Sequence, residues 1–487
     1  MPTPAIPSRT RPTRRTPLPG IALAALAAGV LLTACAPSAD KPSTASPSPS
    51  SGSSSGAPAP SGAGGGTASW TSYHADQART GTVAGSFPVA QRVWRAQLGG
   101  AVRGQPLVSG GRVLVATETD RVVSLDPGTG AVQWSTSLGR PLTDVVGTVG
   151  CGDIDPLGIT STGVVDEATG TLWVVGEVSD GGGNVHHMLA GLDVTTGTIR
   201  ASATVDPPLP SGESPLQLLQ RASLALANGR VYVSYGGHDG DCGHYHGWVV
   251  GAAEADPSHQ VSFEVAADGE GGAIWQSGGA PAVDAAGNLY ATTGNANPDP
   301  PEGGPDPKQY TESVVKLSPD LHPLASYKDA VAGGDEDLST GNPVLLPDGT
   351  VFAVGKTDIA FLLRQSDLTQ LAAIPGVCDS DPDGGPAYDH ASGRVFVPCR
   401  GGGIQVVDVG ARTLGPRLSG ADSAPVVVGG SVWAVDSPTG RLAAFDAATG
   451  AQQQQVDVGT DVPLFTSPST GAGLLLVATT DGVVAFR

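Results

Sequence analysis

"GGRVLVATETDRVVSLDPGTGAVQW", residues 110–134, contains the unit from which the rest of the chain is read. It has an apolar β-branched run, a short polar loop and a second apolar run ending at Asp126. A Thr-Gly turn and a last run carrying Trp134 follow. Short apolar runs bounded by turn residues predict short strands. The Asp126 carboxylate is placed to accept hydrogen bonds from the turn after it, and Gly130 to take the positive φ of a hairpin. Trp134 is placed to pack against a neighbouring unit. Its counterparts are Ala201 and Gln454, so the motif reads as a structural turn rather than a cofactor contact.

The unit recurs. Copies of its first run are "GGRVLVAT" (110–117), "GTLWVVGE" (170–177), "NGRVYVSY" (228–235) and "GNLYATTG" (287–294). The series continues with "GTVFAVGK" (349–356), "GRVFVPCR" (393–400), "GGSVWAVD" (429–436) and "GLLLVATT" (473–480). Eight copies of four antiparallel strands predict an all-β chain, an eight-bladed β-propeller. The last copy stops one strand short at "GVVAFR". "QRVWRAQLG" (91–99) is expected to supply the missing strand, so that the N-terminal strand closes the ring beside the C-terminal blade and leaves no open edge.

The composition agrees. Of 487 residues, 70 are Gly and 41 Pro, while charged residues make up only 15%. Short strands joined by tight turns give that balance; long helices do not. A formal charge of −20 argues against nucleic acid or an anionic membrane surface as partner.

Residues 1–34 read as a lipoprotein signal peptide. Arg9, Arg11, Arg14 and Arg15 precede an apolar run from Ile21 to Leu32 that is short for a spanning helix. "LTAC" (32–35) resembles the bacterial lipobox, which makes Cys35 the lipidated first residue of the mature chain and the membrane its partner through that anchor. An ordinary signal peptide is the alternative. The Arg14-Arg15 pair leaves general and twin-arginine export both open. Residues 35–69, rich in Ser, Pro, Gly and Ala, lack the apolar content for a core and read as a tether. Residues 70–487 are the propeller domain. The protein is expected to be exported, held on the outer face of the cell membrane, and monomeric.

Several stretches carry a family resemblance: "GITSTGVVDEATGTLWVV" (158–175), "YHGWVVG" (245–251), "GGAIWQSGGAPAVDAAGNLYATTGN" (271–295), "ESVVKLSPDL" (312–321) and "DLSTGNPVLLPDGTVF" (337–352). They resemble the quinoprotein-type, PQQ-like eight-bladed propellers. That resemblance implies the fold and two kinds of function. One is a non-catalytic binding or scaffold protein of the cell envelope. The other is a sugar or alcohol dehydrogenase using pyrroloquinoline quinone, sandwiched beside a disulfide of adjacent cysteines, with calcium held by Glu, Asn and Asp. The chain has no adjacent Cys pair and no C-x-x-C-H haem motif. The expectation is therefore a non-catalytic binding propeller without quinone.

Loops leading into the innermost strands and loops between second and third strands share one face of a propeller. Here they include the long segments 177–188, 236–247 and 294–313, and binding is expected on that face, for a polar ligand or an envelope protein. Residues leading into the innermost strands are expected to line the central funnel. These are Arg103, Gln105, Asp153, Asp155, Gln220 and Arg221, then Trp275, Gln276, Asp337, Asp422 and Asp461. A solvated channel is the alternative. His238, Asp239, Asp241, His244 and His246 have spacing that permits zinc without demanding it. "DSDPDGG" (379–385) opens like a calcium turn, with Asp379, Asp381 and Asp383 and a last ligand from Asp389. A solvated acidic turn is its alternative. In an exported chain the remaining cysteines can pair. Cys378 leads into the innermost strand of the sixth blade and Cys399 ends its second strand, so they are neighbours. Cys151 and Cys242 pair by elimination and reach.

Overall fold

The computed structural model describes residues 69–85, 90–297 and 309–487. The signal peptide, Cys35 and nearly all of the tether lie outside the described residues. The rest is a ring of eight four-stranded antiparallel sheets. In blade one the strands run outward from the axis as Leu107–Ser109, Arg112–Thr117, Arg121–Leu125 and Val132–Ser137. All eight repeated runs form second strands, from Arg112–Thr117 in blade one to Leu474–Thr479 in blade eight. Second and third strands are almost wholly buried because another blade covers each face. Outermost strands such as Val132–Ser137 alternate between exposed and half-buried residues.

The ring closes as the sequence predicts. Arg92–Gln97 pairs antiparallel with Gly482–Phe486 and is the outermost strand of blade eight. Apolar residues from blades seven, eight, one and two then merge into one core.

The Asp-Thr-Gly turn behaves as the sequence predicts. Asp126 Oδ1 accepts from Gly128 N at 3.0 Å, Thr129 N at 2.9 Å and Thr129 Oγ1 at 2.8 Å. Asp193 and Asp446 do the same in their copies. Trp134 Nε1 reaches across to Val194 O in the turn of blade two at 3.1 Å. At the ring closure Trp94 plays the same part, donating to Pro127 O at 2.8 Å. Gly130 is required twice over: its φ is +72°, and a Cβ there would lie 2.7 Å from the Trp94 ring. The motif is a clasp between blades.

One element has no forewarning in the repeats. Residues 70–83, "WTSYHADQARTGTV", run round the inside of the ring and bond to the innermost strands in chain order. Trp70 pairs with Val108 of blade one at 2.7 and 2.9 Å, and Val165 N of blade two donates to Thr71 O at 2.8 Å. Gln77 Nε2 donates to Leu226 O of blade three at 2.7 Å, and Val283 N of blade four to Gln77 O at 2.8 Å. Leu345 N, Tyr388 N and Val427 N of blades five to seven donate to Ala78 O, Thr80 O and Gly81 O at 2.8–2.9 Å. Thr82–Val83 then adds a parallel fifth strand to blade seven. The segment is a plug. Trp70, His74 and Arg79 are at most 1% exposed. Arg79 donates to the carbonyls of Pro281, Tyr73 and Asp76. The segment therefore occupies the inside of the ring at the level of the inner strands.

Candidate functional site

Above the plug, on the face where chains lead into the innermost strands, lies a cavity of about 360 Å³. Its wall comes from His238, Asp239 and Asp241 of blade three and from Trp275 leading into blade four. Asp335, Asp337, Thr340 and Lys356 of blade five, with Asp381 and Arg400 of blade six, complete it. These are the two loop classes expected to carry binding. Of the three long segments, 236–247 lines the cavity. Most of 177–188 instead extends a hairpin, Thr171–Ser179 with Val185–Asp193. In 294–313, residues 298–308 lie outside the described residues.

The charges of the cavity are fixed in pairs. Lys356 Nζ sits 2.6 Å from Asp335 Oδ1 and 2.9 Å from Asp337 Oδ2. Burial alone would lower its pKa, but Asp337 and Asp335 outweigh that and hold it above the usual lysine range. Arg400 binds Asp383 through Nε and Nη2, with Asp381 3.8 Å from Nη1. Burial still pushes the Asp383 carboxyl up to about 6 against the pull of Arg400.

The funnel residues read from sequence divide into several roles. Trp275 and Asp337 line the cavity. Gln105 faces the plug instead, accepting from Trp70 Nε1 and His74 N at 2.9 Å. Gln220 accepts from Ser161 Oγ at 2.6 Å within the wall, and Gln276 is fully buried. Asp422 accepts from the amides of Gly401 and Ser437. Asp153, Asp155 and Asp461 are exposed. Arg103 and Arg221 lie deeper, Arg103 with Nε 3.4 Å from Glu118 Oε1.

The two metal readings do not gain a common point. Asp379 pairs with Arg417 at 2.7 Å, Asp381 and Asp383 face Arg400, and Asp389 accepts from Ala391 N and Ser392 N. The strand Ala387–Asp389 carries that last carboxylate toward the opposite face, so the four do not converge. His238 Nε2 meets Leu216 O, His244 meets Glu270, and His246 meets Glu213. Among the described residues no group of three His, Cys, Asp or Glu is disposed to hold a metal ion. The disulfides form as read: Cys151–Cys242 and Cys378–Cys399.

Sequence reasoning missed Lys356, Arg400 and Asp335, and it missed a second polar centre. Glu118, Asp120 and Glu177 meet between blades one and two, each at most 3% exposed. Glu177 lies 3.8 Å from His187, which bonds Asp206 at 2.8 Å. Burial, then Glu118, raise the Asp120 carboxyl to about 8; burial, then Asp120 and Glu118, hold Glu177 well above the carboxylate range. An acid whose folded pKa is raised binds its proton more tightly in the folded state, so its contribution is fully present below about pH 4 and lost as pH rises toward 8. Asp120→Asn is expected to flatten the fall in melting temperature over that window and to raise it at pH 8. Parallel curves for the two proteins would refute the assignment.

The family described as "Outer membrane protein assembly factor BamB" matches residues 89–241 by its sequence profile. Among solved structures, the quinohemoprotein alcohol dehydrogenase of Comamonas testosteroni superposes with a TM-score of 0.65 at 16% identity, covering 86% of this chain and 80% of that one. The chain has the PQQ-like β-propeller fold. A europium-containing methanol dehydrogenase gives 0.63 at 14% identity over 85% of this chain and 90% of its own. BamB of Moraxella catarrhalis gives 0.55 at 12% identity over 82% and 99%. No curated protein sequence matches the chain. The described cysteines do not supply the adjacent-cysteine disulfide that the dehydrogenase resemblance implies: their two bonds span 91 and 21 residues. Asp335 and Asp337 already hold the ammonium of Lys356.

Proposed function

We propose that the protein is an exported, lipid-anchored propeller that binds a polar ligand or an envelope partner in the axial cavity and catalyses no reaction. The observation that carries this reading is the blind cavity. The plug closes it below, two disulfides brace its loops, and the cations on its wall are locked by neighbouring carboxylates. Such a wall is preorganised for recognition, and holding it rigid lowers the cost of ordering on binding.

Two experiments bear on the reading. Pull-down from solubilised envelope with the anchored protein should capture a partner that Lys356→Ala loses while that variant is still folded at the assay temperature. Reconstitution with pyrroloquinoline quinone and calcium should give no dye reduction with alcohols or aldose sugars, and turnover there would replace binding with dehydrogenation. The anchor has its own check. Cys35→Ala should shift the protein from the membrane to a soluble or unprocessed form, because acyl chains supply the membrane affinity. Unchanged fractionation would remove the lipoprotein claim.

A further inference from the structure

Arg221 lies just below the cavity and is 2% exposed. Its Nη2 is buried with no hydrogen-bond partner. Glu118 and Asp153 favour its charge from a distance, but among the described residues no carboxylate is in contact with it. A buried guanidinium is costly to leave uncompensated. Arg103 beside it has Glu118 within 3.4 Å, and Glu118 in turn accepts from Gly158 N and Thr160 Oγ1. One positive charge therefore remains without a contact partner. Burial, then the neighbouring Arg103, pull the Arg221 pKa down to about 10, which still leaves it charged at neutral pH.

The guanidinium is closely packed. The Phe465 ring lies 5.4 Å from its carbon. Gly278 also abuts it, since a Cβ there would come within 2.4 Å of Nη1. Trp275, on the cavity wall, packs edge-on against Phe465 at 5.0 Å, and Arg400 lies over the same ring at 5.8 Å. Phe465 thus stands between the cavity rim and Arg221, with a left-handed backbone at φ +63°. Close by are three buried oxygens without partners: Gln276 Oε1, Asn342 Oδ1 and Thr340 Oγ1. Gln276 and the Gly278–Gly279 backbone link them to Arg221, since Gly279 abuts Asn342 Oδ1.

We propose that Arg221 is an anion subsite at the base of the cavity, and that the ligand bears one carboxylate on a hydroxylated body, as a sugar acid does. A carboxylate is planar, matches the guanidinium fork and carries the single charge required. Unpartnered acceptor oxygens call for hydroxyl donors. Entry from the cavity swings the Phe465 ring aside. This rests on the binding reading above and specifies its ligand class.

The test compares matched probes by calorimetry and melting temperature: glucuronate and gluconate against glucose, with inorganic phosphate as a second anion. The acids should bind at least about tenfold tighter than glucose, the gain of a charge-assisted fork. Arg221→Met should bring the acids to the level of glucose. It should also raise the melting temperature of the unliganded protein by about 1–3 °C, because a buried charge without a contact partner is removed. A residue kept only for packing would give the opposite sign. Arg221→Lys, which keeps the charge but not the fork, should retain a reduced preference for acids and serves if the Met variant does not fold. Equal binding of acid and neutral sugar, protection by phosphate equal to that by the acids, or no binding of either acid at millimolar concentration overturns the subsite. Capture of an envelope partner is read separately, so the broader proposal and this one can fail independently.

Discussion

Protein beginning at Ala84 is expected to be recovered aggregated or unfolded, while protein beginning at Ser69 folds. Without residues 70–83 the amides of Val165, Val283, Leu345, Tyr388 and Val427 lose their acceptors, and Val108 loses both of its bonds to Trp70. Water that floods the channel would recover part of that loss, leaving a net cost of about 0.5–1.5 kcal/mol for each bond. The loss of apolar burial weighs more. Trp70 is 0% exposed and sits in the core that joins blades seven, eight, one and two. Trp70→Ala alone should cost about 3–5 kcal/mol, the usual range for an aromatic truncation in a packed core. Together these approach the whole stability of a typical domain, about 5–15 kcal/mol. Urea titration of Trp70→Ala gives the graded version of the test. A truncated chain that melts with the longer one would show that the inner strands hold the ring unaided.

The contrast between plug and blades shows which parts of this fold are legible in a sequence. "RVYVSY" (230–235) announces a strand because its neighbours on both faces are other blades, so every position after Arg230 is apolar or small and the pattern is local. The Asp-Thr-Gly clasp is legible for the same reason: Asp126 and the amides it binds lie within three residues. The plug has no such signature. Its Ser, His, Asp, Gln, Arg and Thr residues suit a surface loop, and Ser72, His74, Arg79 and Thr80 are buried only because distant strands enclose the segment. Trp70 finds Gln105 across 35 residues and Arg79 finds Pro281 across 202. The cavity is half legible. Position in the repeat places Trp275 and Asp337 on the correct face. It does not indicate that Gln105 turns toward the plug, or that Lys356, 19 residues after Asp337, folds back to pair with it. The disulfides are legible because strand order alone brings Cys378 and Cys399 together, and their Cα atoms lie 5.5 Å apart.

Reducing Cys151–Cys242 is expected to destabilise the protein more than reducing Cys378–Cys399. A cross-link restricts the unfolded chain in proportion to the logarithm of the loop it closes. The first bond closes 91 residues, from the lead-in of blade two to the second-to-third-strand loop of blade three, and is worth about 4.6 kcal/mol on that account. The second closes 21 residues within blade six, worth about 3.4 kcal/mol. Alanine variants would blur the comparison. Cys378 and Cys399 are at most 2% exposed, so truncating them also leaves a void, whereas Cys151 and Cys242 are half-buried. Chemical reduction changes no volume and separates the two effects. Mild reductant should open the accessible 151–242 bond first. The urea midpoint of that species should then fall well below that of the oxidised protein, and full reduction under stronger conditions should lower it by a smaller second step. The first step should also weaken ligand or partner capture, because Asp239 and Asp241 on the cavity wall flank a loop that this bond ties to blade two. A larger loss at the second step would mean that local packing around Cys378 and Cys399 outweighs constraint of the unfolded chain.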